Sequence, residues 1–299
     1  MSTTTGTIRE RPAPLPERQA ERVLLATDGG LAGLSAMRWI ADRAGTHALE
    51  VTALDVVDVA DVPGWDAGRR HWTADRAVQQ VTDYLRTAAA SVVCTASVVA
   101  GDPSTRITAA AEDADLLVLG TNRVGMSQHL VASFSTKVAQ AATCPTVVVP
   151  RGWERSDGPV VLGVEGDGSD DGALDFAARE AEALGRYLVM VHAWELTGTP
   201  PAFATDLDRR AAETAASGRL SAAMDRAATR YPRVRVAPLL EHEAPVAALV
   251  RAEQGASLIV VGSHGLSRID RHLSASVSRA VLERPTCPVV IVPDDRNAG

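Results

Sequence analysis

The stretch VLLATDG at residues 23–29 decides the fold, because it returns as VVLGVEG at residues 160–166. Asp28 corresponds to Glu165, so the two copies are offset by 165 − 28 = 137 residues. An apolar run of this length that ends in an acidic residue and glycine is typical of a buried strand followed by a turn. Each copy therefore predicts the first strand of one half of the chain.

Later parts of the chain repeat in the same order. ADLLVLG at residues 114–120 returns as ASLIVVG at residues 256–262, and Thr-Cys-Pro at residues 143–145 returns at residues 286–288. Several valine-rich segments in one order, with offsets that grow slowly, indicate an internal duplication. We therefore expect a flexible tail at residues 1–20, a first domain at 21–150, a linker at 151–159 and a second, related domain at 160–295.

In both halves short Val/Leu runs alternate with longer amphipathic or Ala-rich segments, which is the pattern of a parallel sheet with crossover helices. Strands that are buried on both faces read as continuous apolar runs. The expected fold class is α/β, with two tandem open parallel five-stranded sheets that are flanked by helices and packed as a pseudo-dimer. The predicted strands cover residues 22–27, 50–56, 92–99, 115–119 and 146–149, and in the second half 160–164, 187–193, 234–239, 257–261 and 289–292. The predicted helices include residues 33–44, 74–90, 104–112, 133–142 and 206–230.

Composition narrows the possible functions. The 299 residues are 46% hydrophobic and 22% charged, and the three cysteines show no metal-like grouping, which favours free thiols in the core. A net charge of −7 without a basic block argues against nucleic acid as a partner. No apolar run reaches the roughly 18 residues of a membrane span, and the first residues lack the apolar stretch of a signal peptide. We therefore expect a cytoplasmic protein.

Ligands of open parallel sheets bind beyond the carboxyl ends of the strands, so the residues that follow strands one and four are the first candidates for a site. These are Asp28-Gly29-Gly30 and Gly120-Thr121-Asn122-Arg123 in the first half, and Glu165-Gly166-Asp167-Gly168 and Gly262-Ser263-His264-Gly265 in the second. Glycine lets backbone N–H groups approach a phosphate, and the helix N-terminus that follows adds positive potential. Such residues also suit ordinary turns and helix N-caps, so isolated matches leave both interpretations open.

Three short motifs occur in a fixed order: Asp-Gly after strand one, Gly-x-Pro after strand three and Gly-Ser-His-Gly after strand four. In this order they resemble the universal stress protein family, over about residues 21–295. The resemblance implies an adenine nucleotide alpha hydrolase-like fold. Nucleotide-binding members carry Gly, two residues, Gly, nine residues, and then Gly with Ser or Thr. The second half matches with Gly262, Gly265 and residues 275–278, and departs at Ala275, whose methyl group either crowds the ligand or meets a positive φ that alanine disfavours.

In the second half, the resemblance implies that adenosine lies against the ends of strands one and two, and that the phosphates meet the glycine loop and the serines after it. The implied nucleotide-binding residues are Gly163, Val164, Glu165, Ala193, Gly262, His264, Gly265, Ala275, Ser276, Val277 and Ser278. We expect at most one competent site, in residues 160–293.

The first half departs further from the family pattern, because Arg123 replaces the second glycine and one residue is missing before the serines. Arg123 either pairs with a phosphate or plugs the site. However, Asp28 keeps the acidic residue that the family places at the nucleotide, where the second half has the longer Glu165. The weaker candidate site comprises Ala26, Thr27, Asp28, Val56, Gly120, Asn122, Arg123, Ala132, Ser133, Phe134 and Ser135.

The resemblance also implies a function. It indicates a stress-response regulatory protein that binds ATP, with or without Mg²⁺, signals through an unidentified protein partner and forms a homodimer. Family members commonly associate through the last strand of the sheet, here residues 147–149 and 289–292, and we expect the two halves to pair with each other. No GxxxxGK[ST], GxGxxG or GxSxG motif is present, and no catalytic residue is predicted. The alternatives are a nucleotide-free interaction scaffold with degenerate sites and a slow ATP hydrolase.

Two further features stand apart from these motifs. His192 ends strand two of the second half, where a histidine is either a general base or a hydrogen-bonded structural residue, and Asp55 is its counterpart in the first half. The segment WDAGRRHW at residues 65–72 lies in the predicted connection after strand two of the first half. Its Trp and Arg side chains form either a partner-binding patch or a lid and ordinary packing.

Overall fold

The computed structural model describes residues 20–58, 67–89, 92–122, 134–196, 205–263, 274–283 and 285–293, and at residues 67–73, 274–276, 278 and 279 it describes the backbone alone. Apart from Ala20, the tail predicted at residues 1–20 lies outside the described residues. Strands and helices alternate along the described parts of the chain in both halves, as the sequence pattern predicts.

The first half consists of β1 Glu21–Ala26, α1 Leu31–Arg43, β2 Leu49–Val57, α2 Ala67–Ala88, β3 Val93–Ala100, α3 Pro103–Ala111, β4 Leu116–Thr121, α4 Phe134–Ala141 and β5 Thr146–Pro150. The second half consists of β6 Val160–Gly163, α5 Asp171–Leu184, β7 Leu188–Ala193, α6 Asp206–Arg230, β8 Val236–Glu241, α7 Pro245–Ala252, β9 Leu258–Gly262, α8 Ser274–Glu283 and β10 Val289–Val292.

The predicted elements agree with the observed ones to within a few residues, except at the start of α2. This helix begins at Ala67, so the prediction that Arg69, Arg70 and Trp72 lie in a connection is wrong, while Trp65 lies outside the described residues. The apolar stripe of Val78, Val81 and Leu85 lies further along α2, and residues 67–73 carry no apolar period in the sequence that would reveal a helix. Arginine has a high helix propensity, which allows the helix to extend beyond the stripe.

All strands belong to one ten-stranded sheet with the order β3-β2-β1-β4-β5-β10-β9-β6-β7-β8. The strands of each half are parallel, and β5 and β10 join the halves in antiparallel fashion, with Val147 opposite Val290 and Val148 opposite Val289. Each half therefore has the order 3-2-1-4-5, and the two orders meet at their last strands like the subunits of a twofold dimer. The predicted α/β class and pseudo-dimer are confirmed, and the two apolar edges cover each other.

The core runs through the joint on the face of the sheet that α1, α2, α5 and α6 cover. One cluster of buried side chains extends from Leu25 and Ile40 in the first half to Leu162 and Leu174 in the second. On the other face one cluster lies under α3 and α4, and another lies under α7 and α8. Because β5 and β10 are antiparallel, the carboxyl ends of the two parallel sets point in opposite directions, and the two candidate sites lie far apart on the molecule.

The connection between the halves is fixed to both of them. The Gly152 N–H donates to Ser35 Oγ over 2.9 Å, and Arg155 Nη1 lies 2.8 Å from Asp42 Oδ1, so the connection is held to α1. Further along, the Ser156 hydroxyl donates to a backbone carbonyl of the second half over 3.1 Å. These contacts fix the course of the predicted linker.

Two general predictions concern the cysteines and membrane-spanning segments. Cys94, Cys144 and Cys287 are buried and free, as predicted, and burial raises the pKa of Cys144 to about 11. Among the described residues, no helix combines the length and the hydropathy that crossing a membrane requires.

Candidate functional site

Each half has one point at which the strand order reverses, between β1 and β4 and between β6 and β9. Ligands of open α/β sheets bind at such points, beyond the carboxyl ends of the strands. In the second half β6 pairs with β7 on one side and β9 on the other, so Gly163, Ala193 and Gly262 lie at the ends of three neighbouring strands. In the first half Ala26 lies opposite Leu54 of β2 and Leu119 of β4, and Val56 and Gly120 follow these two residues at the same edge of the sheet.

One buried carboxylate holds the loop between β6 and α5. Gly166 and Gly168 have φ angles of 78° and 86°, a conformation that favours glycine. Asp170, which is 4% exposed, accepts the backbone N–H of Glu165 over 3.0 Å and that of Gly166 over 3.3 Å. Arg226 of α6 lies 3.3 Å from the other carboxylate oxygen. Asp170 therefore ties the loop to α6 as well as to its own backbone.

The corresponding loop of the first half is shorter, because α1 begins sooner after β1. The Thr27 hydroxyl accepts the Gly29 N–H over 3.1 Å, and Asp28 Oδ1 accepts the Gly30 N–H over 2.8 Å. Gly29 and Gly166 are equivalent positions of the repeat. The same amide is thus satisfied in the two halves by side chains from different places in the sequence.

The ends of β4 and β9 differ in the space that they leave. A Cβ built on Gly120 would lie 2.2 Å from the carbonyl oxygen of Ala32 and 2.9 Å from its Cβ, so the first turn of α1 lies directly against β4. A Cβ built on Gly262 would meet Ala173 Cβ at 3.9 Å, which is an ordinary contact. Among the described residues, the backbone of Gly262 therefore has room beside it that Gly120 lacks.

The two sites also differ in the residue near the end of their second strand, which is Asp55 in β2 and His192 in β7. Burial, together with the nearby charge of Asp28, raises the pKa of Asp55 in β2 to about 6. At the equivalent position of β7, His192 is 5% exposed, and its Nδ1–H donates to the Val164 carbonyl over 2.8 Å. A carbonyl can only accept, so Nδ1 of His192 carries a proton. This hydrogen bond supports the structural interpretation of His192.

The remaining predicted residues of the second half fall on the loop after β9 and on α8. Val164 is buried, Glu165 is exposed and Val277 is half-buried against the core. Ala275, Ser276 and Ser278 belong to the first turns of α8, which begins at Ser274, and they are described by their backbone alone. His264 and Gly265 lie outside the described residues. The serines therefore follow a helix start, which suits both a phosphate site and an N-cap.

The first half presents a different surface at its helix start. Phe134 opens α4 and is 47% exposed, while Ser135 is buried. Asn122 follows β4 and is exposed. Arg123, Ala132 and Ser133 lie outside the described residues. Phe134 is the counterpart of Val277 in α8, and neither side chain can donate a hydrogen bond to a phosphate.

The sequence patterns miss two features of the second half. Asp170 is one, although an aspartate just before a helix is a frequent N-terminal signal. The other is a stacked pair, Trp194 and His242, whose ring centroids are 4.1 Å apart at an interplanar angle of 11°. His192 lies opposite Leu240 in the β7–β8 register, which brings the residues two positions further on together. Only the register of the two strands could have predicted this pair.

A parallel five-stranded unit with a glycine loop at its switch point, present twice, defines a class of duplicated doubly wound α/β proteins. The model of the universal stress protein family matches residues 19–150 and again residues 158–293. The chain therefore belongs to the universal stress protein family.

Individual relatives agree with this assignment along most of the chain. A universal stress protein of Mycobacterium tuberculosis is 28% identical over 293 residues, which cover 92% of this chain and 97% of that protein. One from Mycolicibacterium smegmatis is 28% identical over 287 residues, which cover 90% of this chain and 96% of that protein. The crystal structure of a universal stress protein from Archaeoglobus fulgidus is similar in fold, with a TM-score of 0.69 and 20% identity over 92% of this chain and 97% of that chain.

Proposed function

We propose that this chain is a stress-response regulatory protein that binds an adenine nucleotide, ATP with or without Mg²⁺, in its second half. The observation that carries the proposal is the difference between the two strand-four glycines. Among the residues that the structure describes, a Cβ on Gly262 would meet only Ala173, at 3.9 Å, whereas a Cβ on Gly120 would collide with the backbone of Ala32. A phosphate needs such space to reach backbone amides.

The other described residues of the second half suit the same ligand. Adenosine would lie against the half-buried Ala193 at the end of β7, next to the buried Val164 that follows β6. Gly262 and the start of α8 offer the site for the phosphates, which Gly265, His264 and the serines at 276 and 278 would complete. The first half keeps Asp28 but closes the approach to Gly120, so it remains the weaker candidate.

A nucleotide-free scaffold is the second candidate, and one observation favours it. Asp170 already accepts the N–H groups of Glu165 and Gly166, so these two amides are not available to a ligand without a rearrangement of the loop. A protein that had lost its nucleotide would gain stability from such a contact. In this case the surfaces of the two halves, and not a ligand, would carry the function.

Analysis of the ligand that the protein carries separates these candidates. Protein purified without added nucleotide is denatured, and the released small molecules are identified by mass spectrometry. Release of about one adenine nucleotide per chain is expected, in line with one competent site. Absence of released nucleotide, together with no saturable binding at millimolar ATP, would favour the scaffold. Sustained multiple turnover of ATP would instead favour a slow hydrolase.

We also propose a cytoplasmic location, a protein partner that responds to the nucleotide state, and a homodimer of two-domain chains with boundaries at residues 21–150 and 160–295. Because β5 and β10 pair with each other inside the chain, a homodimer needs another surface than these strands. Sedimentation across micromolar concentrations tests this part, and a monomer mass throughout would contradict it.

A further inference from the structure

Arg43 and Glu180 occupy equivalent positions of the two halves and contact each other. Their separation, 180 − 43 = 137 residues, is the offset that relates Asp28 to Glu165. Arg43 is the last residue of α1, and Glu180 lies in the second half of α5. Arg43 Nη1 donates to Glu180 Oε2 over 2.7 Å, and the two side chains are only 4% and 5% exposed. Equivalent residues that touch must lie at the pseudo-twofold axis.

The guanidinium of Arg43 is fully engaged at this position. Its Nε and Nη2 donate to the two carboxylate oxygens of Glu21 over 2.7 and 2.9 Å, and its carbon lies 5.4 Å from the centre of the Trp39 ring. Burial acts to lower the pKa of Arg43, but the charges of Glu180 and Glu21 outweigh it and raise the pKa above its ordinary value. Arg43 is therefore a buried cation at the joint, in contact with Glu180 and Glu21.

The strands at the joint do not favour the pairing of unlike halves over the pairing of like halves. β5 presents Thr146, Val147 and Val148 to the joint, and β10 presents residues 289–291, which are all Val or Ile. These side chains are similar in size and uncharged, so either strand could pair with a copy of itself. Selection between like and unlike halves must then come from the helices beside the joint.

The pseudo-twofold symmetry explains how Arg43 and Glu180 can discriminate between like and unlike halves. In a like pair, a residue on the twofold axis meets its own copy. Two second halves would bury one Glu180 against another with no cation between them. Two first halves would bury one Arg43 against another, each with a single carboxylate from its own Glu21. Uncompensated buried charges are strongly destabilising, whereas the unlike pair places a cation against an anion.

We propose that Arg43 and Glu180 select the pairing of unlike halves, so that the surface formed by α1 and β5 accepts the surface formed by α5 and β10 and rejects a second copy of itself. The duplication makes this possible. In a dimer of identical chains the two axis positions would be the same residue, whereas in the tandem chain they can differ. Arg43 and Glu180 thus determine the pairing specificity of the tandem arrangement.

Charge reversal in the full-length chain tests this role. A Glu21→Gln parent removes the carboxylate that belongs to one half only. In this parent, Arg43→Glu and Glu180→Arg each create a like pair, and the double variant restores an unlike pair with reversed polarity. Because the two positions are equivalent, the double variant also keeps the shape of the joint.

Trypsin provides the readout, since Arg151 and Arg155 lie in the connection that is held to both halves. Cleavage at these two sites, followed by mass spectrometry, reports how often the halves separate. Each single reversal is expected to speed this cleavage by about tenfold or more, and the double reversal to return it to within about threefold of the parent. Double-reversal cleavage as fast as that of the single variants, or single variants cleaved at the parent rate, would overturn the proposal.

Two controls keep the result interpretable. The exposed pair Arg209 and Asp206 lies within the second half, and its reversal, Arg209→Asp with Asp206→Arg, is expected to leave cleavage of the connection unchanged. If a single reversal yields no folded protein by circular dichroism, Glu180→Gln in the natural chain replaces it. That variant leaves Arg43 paired with Glu21, and about threefold faster cleavage is expected. Cleavage at the natural rate would contradict the proposal.

Discussion

The Asp170 carboxylate accepts the Gly166 N–H over 3.3 Å from a position that is almost completely buried. The same amide of the first half, at Gly29, is satisfied by the Thr27 hydroxyl. Val164 stands where the first half has Thr27, and Asp170 stands where it has Gly33. The loss of one acceptor is therefore matched by the gain of another, and the loop after strand one keeps its hydrogen bond in both halves.

Asp170→Ala should destabilise the chain by about 2 kcal/mol or more, because it removes the buried carboxylate that accepts two backbone amides and pairs with Arg226. The free energy of unfolding in urea measures this effect. Asp167→Ala is the matched control, since Asp167 is exposed in the same loop and accepts the Ser169 N–H. It should cost less than about 1 kcal/mol. Equal losses in the two variants would contradict the role assigned to Asp170.

Alanine at Gly120 should lower stability, whereas alanine at the equivalent Gly262 should leave stability unchanged and weaken ATP binding. Gly120→Ala places a methyl group against the Ala32 backbone and should lower the free energy of unfolding by at least about 2 kcal/mol. Gly262→Ala meets its nearest described neighbour at an ordinary distance and should stay within about 0.5 kcal/mol of the natural chain.

Gly262→Ala should nevertheless weaken ATP binding by about tenfold, because the added methyl group occupies the approach to the backbone. Urea unfolding and an ATP titration of the same two proteins check both statements. Unchanged ATP affinity in Gly262→Ala would place the phosphates elsewhere.

Asp55 and its acidic neighbour Asp28 should make the stability of the chain depend on pH. The pKa of Asp55 is about 6 in the folded chain, while an unfolded aspartate titrates near roughly 3.9. Between these values the unfolded chain gives up a proton that the folded chain keeps, so stability falls as pH rises from about 4 to about 6. Asp55→Asn should remove this slope.

Asp55→Asn should also raise the free energy of unfolding at pH 7 by about 1 kcal/mol, a value reduced for the solvent access of this half-buried side chain. Asp28→Asn is the companion variant, because it keeps the acceptor for Gly30 and removes the neighbouring charge. In that protein a carbon NMR titration should find the pKa of Asp55 lowered. An unmoved pKa would show that burial alone raises it.

Much of the fold could be predicted from the sequence, because strands buried on both faces need continuous Val and Leu runs and the repeat supplies each run twice. The α/β class and the pairing of the halves follow from the same runs. The start of α2 at Ala67 could not be predicted from the sequence. Sequence patterns reveal a helix by its apolar period, and residues 67–73 have none.

The site could be predicted only where its residues repeat. Gly163, Ala193 and Gly262 lie at the same edge of the sheet, because parallel strands bring their carboxyl ends together, and their role at a nucleotide stays a prediction. Asp170 could not be found in this way, since its counterpart Gly33 has no side chain. The space beside Gly262 also depends on how closely a helix approaches the sheet, and no sequence pattern records that distance.

The proposed nucleotide site is tested most directly by calorimetric titration of ATP into nucleotide-free protein. We expect saturable binding with about one equivalent per chain, and an affinity that Gly265→Arg, which copies the first half, lowers by about tenfold or more. Gly218→Arg makes the same change on an open surface of α6 and should leave the affinity unchanged. Absence of saturable binding at millimolar ATP, or an affinity that Gly265→Arg does not alter, would contradict a nucleotide site in the second half.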